Sequence, residues 1–174
     1  MLPKLVVTDI DGVWTDGGMY YDQSNIELKK FNTSDSAGVL WCRLNNIPVA
    51  IITGEDTDIV KRRAEKLKID HLFLGIKDKV KVLGSLIDEL NIEWGDVAYI
   101  GDDINDYQVL KRVGYSSCPL NAPKYIQKIV HKVTPVMGGD GAFRAFVEEI
   151  LIENNLMETS LLKYFEQNKS KFNQ

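Results

Sequence analysis

The chain has 174 residues, of which 44% are hydrophobic, and a net charge of −4 at pH 7. This size suits one domain with its own core, and the acidic balance, with lysines and arginines interspersed among acids, argues against a nucleic-acid partner. No apolar stretch approaches the ~20 residues of a membrane-spanning helix, and residues 1–4 leave no room for a signal peptide before the first predicted strand, so we expect a cytoplasmic protein with no membrane partner.

Strands and helices are predicted to alternate along most of the chain. Short apolar runs indicate buried parallel strands at Leu5–Thr8, Pro48–Thr53, His71–Leu74, Val97–Ile100 and Tyr115–Cys118. Apolar residues at helical spacing indicate helices at Ser36–Asn45, Asp56–Leu67, Asp78–Leu90 and Asn105–Val113. Asp56 or Thr57 can cap the second helix, and Asp78 the third. This order predicts an α/β fold with a doubly wound parallel sheet and right-handed crossovers.

One segment between the first strand and the first helix breaks the alternation. Residues 13–31 carry turn signals at Gly17-Gly18 and at 22–25 between short β-like runs, so they predict a β-hairpin arm. Only 25 residues lie between Thr53 and Lys79, and one helix and one strand already occupy them. We therefore expect no separate cap domain over the sheet.

The C-terminal part is predicted to be helical. Residues 141–151 form an amphipathic pattern, and apolar residues after Asn154 indicate a further helix, packed on the body or on a neighbour, with a frayed end after Asn168. We divide the chain into a main domain at 1–153 and a helical tail at 154–174. Cys42 and Cys118 are expected to be buried thiols, although a disulfide between them stays open.

Chemically active side chains stand where the predicted strands end. Asp9 and Asp11 follow the first strand, Thr53 and Gly54 the second, Lys79 the third, and residues 102–106 the fourth. Each group alone also fits a turn or a solvated helix start. Together they lie where open parallel sheets carry their functional groups, and the crowded carboxylates repel unless a cation compensates them.

These groups fit phosphoryl transfer, which depends on positioning and charge neutralisation. We expect Asp9 to attack phosphorus and form an aspartyl-phosphate, while Asp11 protonates the leaving oxygen and then deprotonates the hydrolytic water. Asp9, Asp102 and a backbone carbonyl near Asp11 would hold Mg²⁺. Thr53 and Lys79 would bind the phosphoryl oxygens.

Two other classes of protein share part of this pattern. A phospho-accepting receiver module also combines a doubly wound sheet with acids, a threonine and a lysine. Its acid pair and its phospho-acceptor lie on different strands, however, whereas Asp9 and Asp11 follow the same strand. A non-catalytic regulatory domain would have no need of the complete set of acids, hydroxyl and ammonium group.

The chain resembles the haloacid dehalogenase superfamily, whose four motifs occur here in order. They align with Asp9 and Asp11, Thr53, Lys79, and Asp102, Asp103 and Asp106. Four segments are similar to its capless sugar-acid phosphatase branch: residues 8–18, 31–36, 101–106 and 138–144. The resemblance covers residues 4–152. It implies a Mg²⁺-dependent phosphatase of a 2-keto-3-deoxy sugar acid, in which Asp103 and Asp106 support the metal ligands.

The resemblance also implies a homotetramer, because relatives close each open site with hairpins and C-terminal segments of adjacent subunits. Trp14, Met19, Tyr20 and Tyr21 could supply that contact surface, or they could be ordinary cross-strand packing. Arg144 could meet a substrate carboxylate in a neighbour, or it could be a solvated helix residue.

Glu55 bears on the choice of substrate. Octulosonate phosphatases usually carry Arg at this position, so Glu55, Trp14 and residues 33–36 make the chain more similar to 2-keto-3-deoxy-nononate 9-phosphate phosphatases, with 3-deoxy-D-manno-octulosonate 8-phosphate as the alternative substrate. Glu55, Arg63 and Lys66 would face the sugar acid, or would be a capping glutamate and a basic helix face. The substrate-binding residues implied are Thr33, Ser34, Gly54, Glu55, Arg63, Lys66, Asn105 and Arg144.

Overall fold

The computed structural model describes the backbone of residues 2–172 and the side chains of residues 2–169. Its strands are β1 (Leu5–Thr8), β2 (Tyr20–Tyr21), β3 (Glu27–Leu28), β4 (Val49–Ile52), β5 (His71–Phe73), β6 (Val97–Ile100), β7 (Tyr115–Cys118) and β8 (Lys132–Val133). Its helices are α1 (Asp35–Leu44), α2 (Asp58–Leu67), α3 (Lys79–Leu90), α4 (Tyr107–Leu110), α5 (Lys124–Gln127), α6 (Ala142–Glu153) and α7 (Met157–Phe172). A short 3₁₀ helix occupies Trp94–Asp96.

One parallel sheet has the strand order β5-β4-β1-β6-β7-β8. Its central strand, β1, is completely buried. Val6 belongs to the core cluster that includes residues of α1, α2 and α6, whereas Leu5 and Val7 belong to the cluster that includes residues of α3, α4 and α5. Helices therefore cover both faces, which confirms the predicted doubly wound α/β fold. The strand order reverses between β1 and β6, where open sheets of this kind bind their ligands.

The predicted arm is a short antiparallel hairpin. Tyr20 pairs with Leu28 and Tyr21 with Glu27, and a bridge between Thr15 and Phe31 closes its base. Asn25 takes a left-handed conformation, with φ at 61°, which asparagine tolerates better than most residues. The arm follows β1 as expected, and the segment from Thr53 to Lys79 holds α2 and β5 without a cap domain.

Trp14 does not lie on the surface of the arm, which was one of two alternatives that the sequence left open. Its side chain is completely buried, its Nε1 donates to Thr8 Oγ1 at 2.9 Å, and its ring stacks on Phe143 with centroids 4.7 Å apart. The residue turns into the core because an indole both fills apolar space and finds an acceptor there. Trp14 therefore packs inside its own chain, as the packing alternative expected, although its ring partner is Phe143 of α6 and not a residue across the hairpin.

Several local elements differ from the sequence prediction. Helix α4 has four residues instead of the nine predicted at 105–113, and neither α5 nor β8 was predicted. Asp78 caps α3 as expected, accepting from Lys81 N at 3.0 Å. Neither proposed cap of α2 makes a side-chain cap bond, since Thr57 is the N-cap residue and its hydroxyl is buried without a hydrogen-bond partner.

The C-terminal helix α7 packs on the body of the same chain. Asn45 Nδ2 donates to Ser160 Oγ at 2.7 Å, Lys163 Nζ donates to Leu44 O at 3.2 Å, and Tyr164 packs edge-on against Trp41. The helix continues beyond Asn168, where we expected fraying, to residue 172; residues 173 and 174 lie outside the described residues.

Both cysteines are buried free thiols, and they belong to the two opposite core clusters. Of the helices described, none is both long and apolar enough to cross a membrane.

Candidate active site

The carboxyl ends of β1, β4 and β6 meet at a cleft of about 300 Å³. Because parallel strands end at the same edge of the sheet, residues far apart in sequence converge there. The cleft is lined by Asp9, Asp11, Gly12, Gly17, Thr53, Gly54, Glu55, Asp102, Asp103 and Asn105. Eight of these ten residues are among those predicted from the sequence. The other two are Gly12 and Gly17, and Gly17 was predicted only as part of a turn.

Lys79 lies buried next to the site, in contact with Asp9. Its side chain is completely buried, and its Nζ lies 3.0 Å from Asp9 Oδ2 and 2.7 Å from Asp106 Oδ1. Burial opposes the charge on Lys79, but the two carboxylates outweigh that effect and raise its pKa. Burial and the nearby Asp106 raise the pKa of Asp9 to about 7, although Lys79 opposes this shift. Lys79 therefore pairs with only one oxygen of Asp9, Oδ2, and leaves Oδ1 without a hydrogen-bond partner.

Asp106 organises the loop after β6. One of its oxygens accepts from Lys79 Nζ and from the Tyr99 hydroxyl, at 2.7 and 2.5 Å. The other accepts from the backbone amides of Asp102 and Asp103, at 3.1 and 3.3 Å. A Cβ on Gly101 would lie 2.4 Å from Asp106 Cγ, so only glycine allows this approach. With both oxygens occupied by donors, Asp106 shapes the site and leaves metal binding to its neighbours.

Asp9 and Asp102 have the properties of ligands for a hard divalent cation. Carboxylate oxygens of Asp9, Asp102 and Asp106 lie within 4.8 Å of one another. The Oδ1 atoms of Asp9 and Asp102 are both buried without a hydrogen-bond partner, and burial together with the Asp9 and Asp106 charges raises the pKa of Asp102 to about 8. Such crowding of oxygens that lack donors is relieved by a bound cation. The residues present thus fit Mg²⁺.

Gly12 permits the close approach of the two acidic loops. Its φ is +86°, and a Cβ at this position would lie 2.0 Å from Asp102 Oδ2. Any other residue would push Asp102 away from the end of β1 and would also be strained in this conformation. The glycine after the acid pair therefore has a steric role in bringing Asp102 toward Asp9.

Asp11 has a separate environment, which includes a lysine that sequence reasoning missed. Lys29 Nζ lies 2.8 Å from both carboxylate oxygens of Asp11 and 2.6 Å from Glu55 Oε2. Thr15 Oγ1 also donates to Asp11 Oδ1, at 3.2 Å. Burial opposes the charge on Lys29, yet Asp11 and Glu55 together raise its pKa. In the sequence, only the alternation of side chains between the two faces of a strand distinguishes Lys29 from Lys30. In the structure, Lys29 pairs with Asp11, whereas Lys30 is exposed.

The remaining predicted residues of the cleft divide into buried and exposed groups. Thr53 is almost fully buried, at 1% exposure, whereas Gly54, Asp103 and Asn105 are exposed at its rim. Asp103 accepts from the Tyr125 hydroxyl at 3.0 Å. Thr53 and Lys79 thus lie inside the site, and the rim is left open to solvent.

The structure does not bring Arg63 and Lys66 to this cleft. Arg63 Nη2 donates to Asn32 O and Ser36 Oγ, at 3.2 and 3.1 Å, and its guanidinium lies over the ring of Phe31. Lys66 is exposed in the last turn of α2. Given the rise per residue of an α-helix, it lies about 12 Å along the helix axis from Asp58, the first residue of α2. Arg63 braces the base of the hairpin, and Lys66 points to solvent in this chain.

Three other predicted substrate ligands also lie outside the cleft of their own chain. Thr33 is exposed, and Ser34 is the N-cap residue of α1, where its Oγ lies 2.6 Å from the position of a Cβ on Gly141. Arg144 Nε pairs with Glu148 Oε1 at 2.7 Å on the surface of α6. Any contact of these residues with substrate would have to involve a neighbouring subunit.

The chain is similar to known hydrolases over most of its length. A model of haloacid dehalogenase-like hydrolases matches residues 74–146. The 3-deoxy-D-manno-octulosonate 8-phosphate phosphatase of Yersinia pestis is 37% identical over 155 residues, covering 89% of this chain and 83% of that protein.

Solved structures extend the likeness to the fold. A probable YrbI family phosphatase of Pseudomonas syringae pv. phaseolica is 41% identical, with a TM-score of 0.90 and coverage of 94% of this chain and 93% of that one. The 3-deoxy-D-manno-octulosonate 8-phosphate phosphatase of Moraxella catarrhalis, in complex with magnesium ion, phosphate ion and KDO, is 33% identical, with a TM-score of 0.89 and coverage of 93% of both chains.

Proposed function

Because this chain belongs to the haloacid dehalogenase-like hydrolases, in their capless sugar-acid phosphatase branch, we propose that it hydrolyses 3-deoxy-D-manno-octulosonate 8-phosphate with Mg²⁺ as cofactor. It is a phosphoric monoester hydrolase that acts on a sugar-acid phosphate. The observation that carries the chemical part of the proposal is the pair of buried carboxylate oxygens without partners, on Asp9 and Asp102, beside the buried ammonium of Lys79.

The reaction can be written with the side chains present. A carboxylate oxygen of Asp9 forms a bond to phosphorus while the bond from phosphorus to the sugar oxygen breaks, and Asp11 gives that oxygen a proton. Water then attacks the aspartyl-phosphate, loses a proton to Asp11, and releases inorganic phosphate and free Asp9. Asp9 and Asp102 would hold Mg²⁺, which would neutralise the negative charges of the nucleophile and of the ester.

Two further groups would assist the phosphoryl group in transit. Thr53 lines the cleft and Lys79 contacts Asp9, so a hydroxyl and an ammonium could stabilise the charge that shifts among the phosphoryl oxygens. Asp106 contributes indirectly, because it holds Lys79 from the side opposite to Asp9. Their proposed roles match the order of the motifs along the chain.

The similar proteins described above narrow the choice between the eight- and nine-carbon substrates. Their names specify the eight-carbon sugar acid, which supports the alternative of the sequence interpretation over the nine-carbon nononate that we favoured. Glu55 is the observation in favour of the nononate, since a carboxylate rather than an arginine lines the cleft at this position. The two residues expected to act with it, Arg63 and Lys66, lie elsewhere in this chain, which weakens that interpretation.

We also propose that the functional form is a homotetramer. The cleft has no cap, and an open site is poor at excluding water from the leaving group. The hairpin beside it exposes a group of apolar side chains, and such groups mark contact surfaces: Met19, Tyr20, Tyr21, Ile26 and Leu28. An adjacent subunit could cover both.

The test measures phosphate release from p-nitrophenyl phosphate and from the eight- and nine-carbon sugar-acid phosphates, with and without Mg²⁺. We expect Mg²⁺-dependent turnover of all three, with the highest kcat/KM for the eight-carbon ester. Asp9→Asn should lower kcat by about 10⁴-fold or more, as removal of a nucleophile does. A protein inert toward every monoester would refute the activity, and a higher kcat/KM for the nine-carbon ester would refute the choice of substrate.

A further inference from the structure

Lys29 is a buried cation that neither the motifs nor the proposed reaction account for. We propose that Lys29 is a positioning residue, which fixes the carboxylate of Asp11 for proton transfer and is itself held in place by Glu55. The inference rests on the proposed function for the role of Asp11, and it gives Glu55 a task in the chemical step in place of a contact with the sugar.

The hydrogen bonds of Lys29 are completely used. An ammonium has three N–H donors, and the Nζ of Lys29 has three acceptors: Asp11 Oδ1 at 2.8 Å, Asp11 Oδ2 at 2.8 Å and Glu55 Oε2 at 2.6 Å. In this arrangement both oxygens of Asp11 accept from Lys29 and neither carries a proton. When Asp11 holds the proton that it gives to the leaving oxygen, its other oxygen still accepts from Lys29, which keeps the carboxyl group oriented. The third donor of Lys29 anchors the lysine to Glu55. No donor remains for a substrate group in this arrangement.

Burial places the lysine behind the two acids. The side chain of Lys29 is 4% exposed, whereas those of Asp11 and Glu55 are 33% and 40% exposed. The next lysine along the hairpin, Lys30, is 61% exposed. Burying an ammonium costs free energy unless it is paired, so the two carboxylates hold Lys29 beneath the surface of the cleft while they themselves face it.

The three residues come from different parts of the fold. Asp11 follows β1, Glu55 follows β4, and Lys29 follows β3 at the base of the hairpin. The hairpin is thus fastened to the mouth of the cleft by charge as well as by the Thr15–Phe31 bridge. Because the transfer of a proton depends steeply on the position of the acid, a device that fixes Asp11 affects the rate of the step that it serves.

Two kinds of ester separate positioning of Asp11 from other roles. A sugar alkoxide needs a proton as it leaves, whereas nitrophenolate is a stable anion that leaves without one. Loss of Asp11 positioning should therefore slow the first turnover of the sugar-acid phosphate much more than that of p-nitrophenyl phosphate. A substrate-binding lysine would instead change KM, and a merely structural one would affect both esters equally.

The experiment uses rapid-quench first-turnover rates of the full chain at saturating Mg²⁺, for Lys29→Met, Lys29→Arg, Glu55→Gln and the double variant Lys29→Met with Glu55→Gln. Lys30→Met is the matched control. We expect Lys29→Met to lower the first-turnover rate on the sugar-acid phosphate by about 10²-fold, the order of a general-acid contribution, and that on p-nitrophenyl phosphate by less than about threefold. Lys29→Arg should restore much of the loss, and Lys30→Met should match the unmodified chain.

The double variant tests the part assigned to Glu55. If Glu55 acts only through Lys29, adding Glu55→Gln to Lys29→Met produces no further loss. Additive losses, equal losses on the two esters, or a raised KM with an unchanged first-turnover rate would each overturn the proposal. Should Lys29→Met fail to fold, the ratio of the two esters in Lys29→Arg and Glu55→Gln decides in its place. Absence of any turnover in the unmodified chain would instead refute the proposed function.

Discussion

Asp9 and Asp102 show how folding can bring two buried carboxyl groups together so that a cation is needed to neutralise them. Both carboxyls are held at raised pKa, about 7 and about 8, chiefly by burial and then by neighbouring carboxylates. Their ordinary pKa is 3.8, so between these values the folded chain without metal binds protons that the unfolded chain releases. At low pH, bound protons therefore neutralise the carboxylates of Asp9 and Asp102 when no metal is present. At high pH these protons are lost, and the two carboxylates repel each other unless a cation binds.

This difference predicts the pH dependence of stability. Between about pH 6 and about pH 8.5, the free energy of unfolding of the metal-free protein should fall as pH rises, because the folded state binds more protons than the unfolded state. Added Mg²⁺, which competes with those protons, should raise Tm more at the upper end of this range than at the lower end. Thermal unfolding in EDTA and in excess Mg²⁺ measures both effects.

One variant and the chosen pH range make this experiment specific to Asp9 and Asp102. Burial raises the pKa of Asp35 to about 6, so its contribution lies mainly below the chosen range. Asp102→Asn should flatten the fall of Tm with pH and should reduce the effect of Mg²⁺. A Tm in EDTA that rises from about pH 6 to about pH 8.5, or a Mg²⁺ effect independent of pH, would contradict the interpretation.

At the scale of elements, α7 is an addition that stabilises the frame without reaching the site. It covers α1 through the Asn45–Ser160 hydrogen bond, the bond from Lys163 to Leu44 O, and the Trp41–Tyr164 ring contact. The cleft lies at the carboxyl ends of β1, β4 and β6, and none of the α7 residues whose side chains are described, 157–169, lines it. Stability and catalysis should therefore respond differently to loss of this helix.

Truncation after Asn155 tests this separation. We expect the free energy of unfolding to fall by about 2–4 kcal/mol, the order for exposing one or two large apolar side chains, with kcat on p-nitrophenyl phosphate nearly unchanged. Urea denaturation and steady-state assays measure the two quantities. Leu162→Ala, at a position 64% exposed on the same helix, is the control and should leave both unaltered. A loss of activity larger than the loss of folded protein would show that α7 serves the site.

The elements differ in how far the sequence could predict them, and the reasons are physical. The central strands were predictable because burial on both faces requires continuous apolar runs such as Leu5–Thr8. Strand β8 has only two residues, of which Lys132 is exposed, so it carries no comparable pattern. The acids and Thr53 were predictable because strand ends converge by topology alone.

Side-chain direction was the main source of errors at the site. The sequence around Trp14 is compatible with a side chain that faces the core and with one that faces a neighbouring subunit. Only the folded structure shows that its indole donates to the buried hydroxyl of Thr8. Lys29 was missed because a charged residue in a hairpin is usually solvated, and its two partners lie 18 and 26 residues away in sequence. Arg63 was placed with the substrate, whereas it braces backbone and hydroxyl groups at the base of the arm.

For the whole molecule, an open cleft stands beside an exposed apolar arm. The hairpin residues Met19, Tyr20, Tyr21, Ile26 and Leu28 are each about half exposed or more. A two-stranded hairpin has marginal stability by itself, and this one has a bridge and the Lys29 ion pairs at its base but little apolar support at its tip. Contact with another subunit would stabilise the tip and limit access of water to the site at the same time.

The proposed homotetramer therefore predicts a linked loss of assembly and of sugar-acid hydrolysis. In Tyr21→Glu with Leu28→Glu, two exposed apolar positions of the hairpin become charged, so light scattering should report a smaller species than for the unmodified chain. KM for the sugar-acid phosphate should rise, while p-nitrophenyl phosphate, which needs fewer contacts, should still be hydrolysed. Ile152→Glu, at an exposed position on α6, controls for added charge and should leave the mass unchanged. A monomeric unmodified chain with full activity on the sugar-acid ester would contradict the proposal, because the cleft would then need no second subunit to complete it.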